Sequence, residues 1–435
     1  MRLTMPSLFA RWFLRPNWVL ADQIIVSGSR FASGVMVARF LGPEMFGAFV
    51  LMQIAQTYAS GCQTAVVISP MLVGAPRLEG LEREHYLGGM FALQIMLSIV
   101  LSVSLVILAC LWRFFSPDAN PDLTQAPGLA ALIAAMVTFQ FQDWQRRCFF
   151  ATGSARGAFV IDIVNSVLLL LLLGGAGLGG FLSVRLVFWI MTLASCASFV
   201  AGHAVNRVRP GFRQGLDALR REFKACCDYL LSWQIMWLGT QGAFLIGTGF
   251  LSQQDIGGIR ATQNMMGPFT ALFQALDNVI PVNAANRYRT AGMAAVVAYL
   301  RSVSLRGTAI LVPIVLGIGL LSEPLTKLLY GERYLAFAPL IRWQGVYILC
   351  QFYVGELYYF FRVVSATRSI FLSCCVVAIV ATSMTFLCAQ HYKATGVVIA
   401  LVCGTLTGLA CALLLAAKLL KQRQRIRLVS ATEPT

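Results

Sequence analysis

The sequence predicts an all-α polytopic membrane protein, with about twelve transmembrane helices forming two parallel-repeat six-helix bundles. Three observations carry that prediction. Of 435 residues, 58% are hydrophobic and only 12% charged, whereas soluble domains hold roughly 25% charged residues. The apolar residues come in blocks of some twenty, enough to cross a ~30 Å hydrocarbon core as helix. The blocks do not alternate apolar and polar as membrane barrel strands do; Val167–Leu173 and Ile370–Val380 show no alternation at all. Finally, the second half of the chain echoes the first.

Taken in order, the opening residues 1–18 have Arg11 and Arg15 interrupting their apolar run and no small-residue cleavage site. They read as an interfacial leader rather than a removed signal peptide. The expected spans are 19–41, 44–72, 86–113, 128–149, 158–181, 184–205, 228–250, 257–285, 305–329, 335–361, 368–390 and 395–417. Spans one and two meet at the corner Gly42-Pro43. Spans nine and ten are the least distinct, because Pro324 and Pro339 bracket a polar segment from Lys327 to Arg333. Between spans six and seven, Leu216, Leu219 and Phe223 lie at helical spacing with Arg220, Arg221 and Lys224 around them, the pattern of an interfacial amphipathic helix. The expected organisation is therefore a bundle over 1–206, a linker over 207–226, a second bundle over 227–417 and a basic tail over 418–435.

The repeat is visible in short matches. FLGPEMFG at Phe40–Gly47 pairs with FLSQQDIG at Phe250–Gly257, an offset of 210, and Gln63 and Pro70 pair with Gln274 and Pro281 at 211. Asp143 and Arg156 are echoed by Glu356 and Arg368. Six spans per half is an even number, so both repeats enter from the same side, an arrangement that places a substrate site between halves near the midplane.

The formal net charge is +16, but its placement says more than its size. With the N-terminus inside, twenty-five of the 34 basic residues, Arg146 among them, fall in cytoplasmic segments and eight, Arg260 among them, fall opposite, so both termini are expected in the cytoplasm. The basic surface then faces anionic membrane lipids rather than nucleic acid. Most of the twelve cysteines lie in apolar blocks without zinc-type spacing and read as packing residues.

Arg30 is the strongest single signal of function. It sits about halfway along the first span, where an arginine costs roughly 2.5–3.5 kcal/mol on insertion scales and so should face a bundle interior or wet cavity. Gln23 lies on the same helical face, with Ser27 and Gly34 a turn to either side. A guanidinium there could bind a phosphate or sugar acid; a structural ion pair with Asp22, Asp143 or Asp277 is the plainer alternative. Gln56 with Gln63, Gln234 with Gln241, and Gln274 with Asp277 and Asn278 each share a face. They suit sugar hydroxyls or interhelical hydrogen bonds equally well. Asp22, Asp143, Asp162, Asp277 and Glu356 are candidate proton or cation carriers. Asp22 and Asp162 are also explained as first-turn carboxylates favouring the helix dipole, an explanation that does not serve Asp143 and Glu356. Pro70, Pro281 and Pro313 are kink points, fixed or hinging.

No Walker loop, G-x-S-x-G, H-E-x-x-H or paired metal carboxylates are present, so neither an enzyme nor a cofactor is expected. His85, His203 and His391 all fall at span ends.

Asp22-Gln23, Arg30, Ala38–Pro43, Phe46-Gly47 and Pro70, with the segment Asp143–Arg156, resemble the signature of polysaccharide flippases. These form the oligosaccharide-lipid branch of the multidrug/oligosaccharidyl-lipid/polysaccharide exporter superfamily. The resemblance implies two six-helix bundles in a V around a central cavity, alternately open to each side. It implies a lipid-linked oligosaccharide substrate, carried on undecaprenyl pyrophosphate across a bacterial inner membrane for exopolysaccharide, capsule or O-antigen assembly. Polysaccharide polymerase and chain-length regulator partners come with it, and Arg30 takes the family's cationic cavity role. The rivals are a cation-coupled multidrug exporter and, from another class, a membrane glycan ligase or polymerase.

Overall fold

The computed structural model describes residues 18–115 and 126–432, and every regular element among them is helical. The expected leader and residues 116–125, between the third and fourth expected spans, lie outside the described residues. Helix α1 (Trp18–Gln63) is broken at Gly42, whose φ of 77° suits a residue without Cβ. Pro43 then opens the second limb with its pre-set φ.

That limb runs through a π-helical turn (Thr64–Ile68) into α2 (Ser69–Gly74). The irregular turn directly precedes Pro70, which lacks the N–H to close an ordinary one. The Val66 carbonyl accepts the Cys226 thiol at 3.6 Å, and the Pro70 carbonyl accepts the Tyr86 hydroxyl at 3.0 Å. Neighbouring helices thus brace the kink.

Helices α3 (Gly80–Phe115), α4 (Ala126–Ala151), α5 (Ala155–Leu178) and α6 (Val184–Val205) complete the first set. Their shared core includes Met71, Met90, Trp144 and Cys148, all almost wholly buried.

Helix α7 (Phe212–Thr248) has 37 residues, about 55 Å of helix, well beyond the ~30 Å a hydrocarbon core needs. The amphipathic stretch expected as a linker is the opening of this same helix. It lies on α3 backbone to backbone: Gly211 N–H donates to the Gly88 carbonyl at 2.9 Å. A Cβ on Gly215 would stand 2.8 Å from the Gly89 carbonyl oxygen.

The chain divides into two compact units, Met1–Gln234 and Ile235–Thr435. In the second, α8 (Gln253–Met265) opens with a reciprocal Ser252–Asp255 capping box. Helix α9 (Gly267–Leu320) breaks at Gly292, α10 (Ser322–Tyr330) is short, α11 spans Leu340–Val363, and α12 (Thr367–Thr432) breaks at Lys393. The two limbs of α12 pack antiparallel: Ser373 donates to the Gly408 carbonyl at 3.0 Å, and Gly404 lies against Ala381.

The ninth crossing is the α9 limb after Gly292 and stops at Leu320, earlier at both ends than the expected 305–329. Leu321 leaves helical geometry and Gly331, at φ 88°, ends α10, so the Lys327–Arg333 region is a separate short helix and turn.

Among the described residues, six continuous runs are long and apolar enough to cross a membrane. Three of these, Ala21–Arg77, Gly267–Leu320 and Thr367–Gln422, contain the breaks at Gly42, Gly292 and Lys393 and supply two crossings each. The more polar α4, α7 and α11 complete twelve.

The backbone records the duplication directly. Left-handed corners occur at Gly80 and Gly292, at Gly153 and Ser365, and at Gly180 and Lys393, separated by 212, 212 and 213 residues. The short sequence echoes had placed the offset at 210 to 211. The halves are helical repeats of one plan.

Candidate functional site

The N-terminal unit holds a charged cluster built by three helices. Asp22 comes from α1, Asp143, Arg146 and Arg147 from α4, and Asp162 from α5. Arg146 Nη2 donates to Asp22 at 2.5 Å, and its Nε donates to Asp162 at 2.5 Å. Gln142 occupies the other Asp162 oxygen at 2.7 Å. Asp143 lies 3.4 Å from Arg147 and 4.0 Å from Arg146.

Asp22 and Asp162 are buried to 1% and 2% exposure. Carboxylates so deep persist as ions only when paired. Two expectations are corrected here. Arg146 belongs to the buried face of α4 rather than a cytoplasmic loop. Asp162 is the eighth residue of α5, past the first turn, so its partner is Arg146 and not the helix dipole. Asp22, which lies in the second turn of the described α1, has the same partner. The role of Arg146 is not legible in the sequence, where its sole signal is a position three residues after Asp143 in a span otherwise rich in glutamine.

Arg30 belongs to the same group electrically. The charges acting on it are Asp143, Arg146, Asp162 and Arg147, so it is set toward α4 and α5 rather than away from the bundle. The group as a whole holds three carboxylates and three guanidiniums. Arg146 already serves Asp22 and Asp162, and Arg147 serves Asp143. Arg30 makes no ion pair among the described residues, and its side chain is exposed. The pairing with Asp22, Asp143 or Asp277 that sequence allowed is absent. What remains is an accessible guanidinium, able to take an anion in bidentate fashion.

The amides divide between two environments. Gln23 is half-buried on the Arg30 face and donates to Ser27 at 3.2 Å. Gln63, by contrast, is fully buried and donates to the Gln140 carbonyl at 2.7 Å. Gln140 in turn accepts from Ser98 at 2.7 Å, and Gln94 donates to Ser98 at 2.9 Å. This group ties α1, α3 and α4 together, the interhelical role set beside the substrate role. Gln56 is buried with its carbonyl oxygen unpartnered. Gln234 donates to the Tyr58 hydroxyl at 2.5 Å, and Gln241 is half-buried.

In the C-terminal unit, Gln274 is exposed, Asp277 is half-exposed and paired with Arg362 at 3.4 Å, and the Asn278 side chain lies outside the described residues. Glu356 is buried at 5% exposure, between α11 and the later limb of α9. Arg260, on the 13-residue α8, is a second guanidinium of note. It is half-buried, reaches Gln263 on its own helix at 3.3 Å, and forms no ion pair among the described residues. In the sequence it is marked only as a charge opposite the cytoplasm. Among the described residues no three His, Cys, Asp or Glu side chains converge as a metal site requires.

A family model described as "Polysaccharide biosynthesis protein" matches residues 36–339. Among solved structures, an inward-facing multidrug resistance MATE family transporter of the MOP superfamily aligns with TM-score 0.69 and 15% identity, over 95% of this chain and 96% of that one. The lipid II flippase MurJ, in an inward closed conformation, aligns with TM-score 0.66 and 11% identity over 92% and 87%. A MOP superfamily transporter from Pyrococcus furiosus, whose reversed binding-pocket polarity suggests a different function, aligns with TM-score 0.61 and 14% identity over 96% of each. No curated protein matches in sequence. The fold is that of the MOP-superfamily transporters.

Proposed function

The chain belongs to the polysaccharide biosynthesis protein family, and we propose that it is a flippase for lipid-linked oligosaccharides. It moves an undecaprenyl-pyrophosphate-linked repeat unit across the bacterial inner membrane by alternating access, with both termini in the cytoplasm. The product feeds exopolysaccharide, capsule or O-antigen assembly, where a polymerase and chain-length regulator act on it.

One observation carries the reading: Arg30 is an exposed guanidinium on a membrane-spanning helix, without a carboxylate partner among the described residues. Such a charge is costly unless water or an anionic ligand meets it. A pyrophosphate or a sugar acid offers paired oxygens that match its planar donors. The half-buried Gln23 on the same face offers an amide to sugar hydroxyls. The fold is also used by drug exporters, so it does not by itself choose the cargo; the family match favours the glycan.

The test is export of surface glycan in cells carrying Arg30→Ala. Loss of export with unchanged protein abundance is expected. Wild-type export overturns the assignment of Arg30, and a drug-efflux phenotype with normal glycan in a deletion strain transfers the chain to drug export.

A further inference from the structure

Of the acids proposed as ion carriers, all but one stand beside a guanidinium. Asp22 and Asp162 share Arg146, Asp143 has Arg147, and Asp277 has Arg362. Glu356 differs. It is 5% exposed, forms no ion pair among the described residues, and leaves Oε1 without a partner. Its other oxygen accepts a hydrogen bond from the Ser304 hydroxyl across the α9–α11 seam. One turn along the same seam, Thr308 and Tyr353 hydroxyls meet at 2.6 Å, so the carboxyl sits in a short hydroxyl-lined row between two apolar helices.

The surrounding charged and titratable groups leave it alone. On α9, Arg301 and Arg306 share the limb of Ser304 without pairing to Glu356, and Asp277 on the earlier limb is engaged with Arg362. On α12, Ser373 and Cys374 bond the Tyr358 hydroxyl. On α8, Arg260 bonds Gln263. On α11 itself, Tyr353 bonds Thr308, and Tyr359 contributes a neutral phenol nearby.

We propose that Glu356 is a proton-binding site, a carboxyl that takes up and releases H⁺ during the transport cycle. A bare carboxylate without a counter-ion is heavily penalised inside a membrane bundle. The carboxyl therefore rests as the neutral acid, its proton taken from hydronium with release of water. Losing that proton requires water to enter the seam between Ser304 and Glu356, which couples proton release to separation of α9 from α11. In the N-terminal unit Asp22 and Asp162 both face Arg146, the counter-charge that Glu356 lacks. The inference concerns the proton alone and stands whichever cargo the chain carries.

Infrared titration of the purified full chain in liposomes, without any added substrate, reads the proton directly. The wild type should show a protonated-carboxyl band that disappears as pH rises. Glu356→Gln should remove that band entirely, and Asp162→Asn should leave it in place. Ser304→Ala keeps the carboxyl and should move the band to higher frequency, because the acid has lost its hydrogen-bond donor; this variant decides the matter if Glu356→Gln does not fold. A band that persists in Glu356→Gln, one unmoved in Ser304→Ala, or a wild type with no titrating band overturns the proposal.

Discussion

Asp22 and Arg146, 124 residues apart in the chain, meet at 2.5 Å inside the N-terminal unit. The contact fixes α1 to α4, and through Asp162 it also fixes α5. By consuming the charge of Arg146 it leaves Arg30 as the accessible cation of the group.

Removing Arg146 strands two buried carboxylates. Arg146→Met is expected to destabilise the protein by about 3–5 kcal/mol, the usual cost of breaking a buried pair from one side. Adding Asp22→Asn and Asp162→Asn to it should recover most of the loss, because no unpaired charge is left. Thermal unfolding in detergent checks both; equal melting of single and triple variants would refute the pairing as the cause.

If Arg30 recognises paired oxygens, its geometry matters as well as its charge. Arg30→Lys should retain partial export, with affinity lower by about 10-fold, in line with loss of one charge-assisted hydrogen bond. Arg30→Gln should export as poorly as Arg30→Ala. Concentration-dependent flipping in reconstituted vesicles separates the three. Full activity in Arg30→Gln would show that charge is not required there.

Arg260, the α8 guanidinium with no ion pair among the described residues, is expected to affect transport more than folding. Arg260→Ala should leave the melting temperature unchanged or raised, since a charge without a partner is removed from a half-buried place, while export falls. A large fall in melting temperature instead would assign Arg260 a structural role.

The opening of α7 rests closely on α3 at Gly88, Gly89 and Gly215. Gly215→Val should cost about 1–3 kcal/mol by overpacking, because its side chain meets the Gly89 carbonyl. It should also lift the helix start from α3. Limited proteolysis at Arg209 and Arg213 reads that release, and unchanged cleavage would argue that the contact is not what holds the helix down.

Two corners carry the wrong residue for their geometry. Lys393 sits at φ 46° where its repeat counterpart is Gly180, and Ser365 at φ 58° where the counterpart is Gly153. Lys393→Gly should raise stability by about 1 kcal/mol by relieving that strain, seen as a higher melting temperature. No change would mean the corner pays nothing for its side chain.

The sequence by itself determined the fold class, the twelve crossings and the duplication. Each depends on properties read within a few turns of chain: hydropathy block by block, Gly42-Pro43 at a corner, Gln63 seven residues before Pro70. It also marked Arg30 as unusual, because depth along a span follows from counting. Tertiary structure alone decided which charge is free. Asp22, Asp143 and Asp277 were all available to Arg30 by sequence, and Arg146 looked like a loop cation. Choosing partners depends on helices brought together over more than a hundred residues of chain, and pairing energy at close range selects among them. The same holds for Gln63, whose amide found Gln140 instead of a cavity, and for Glu356. Its isolation is a statement about every neighbour at once, which no local pattern encodes.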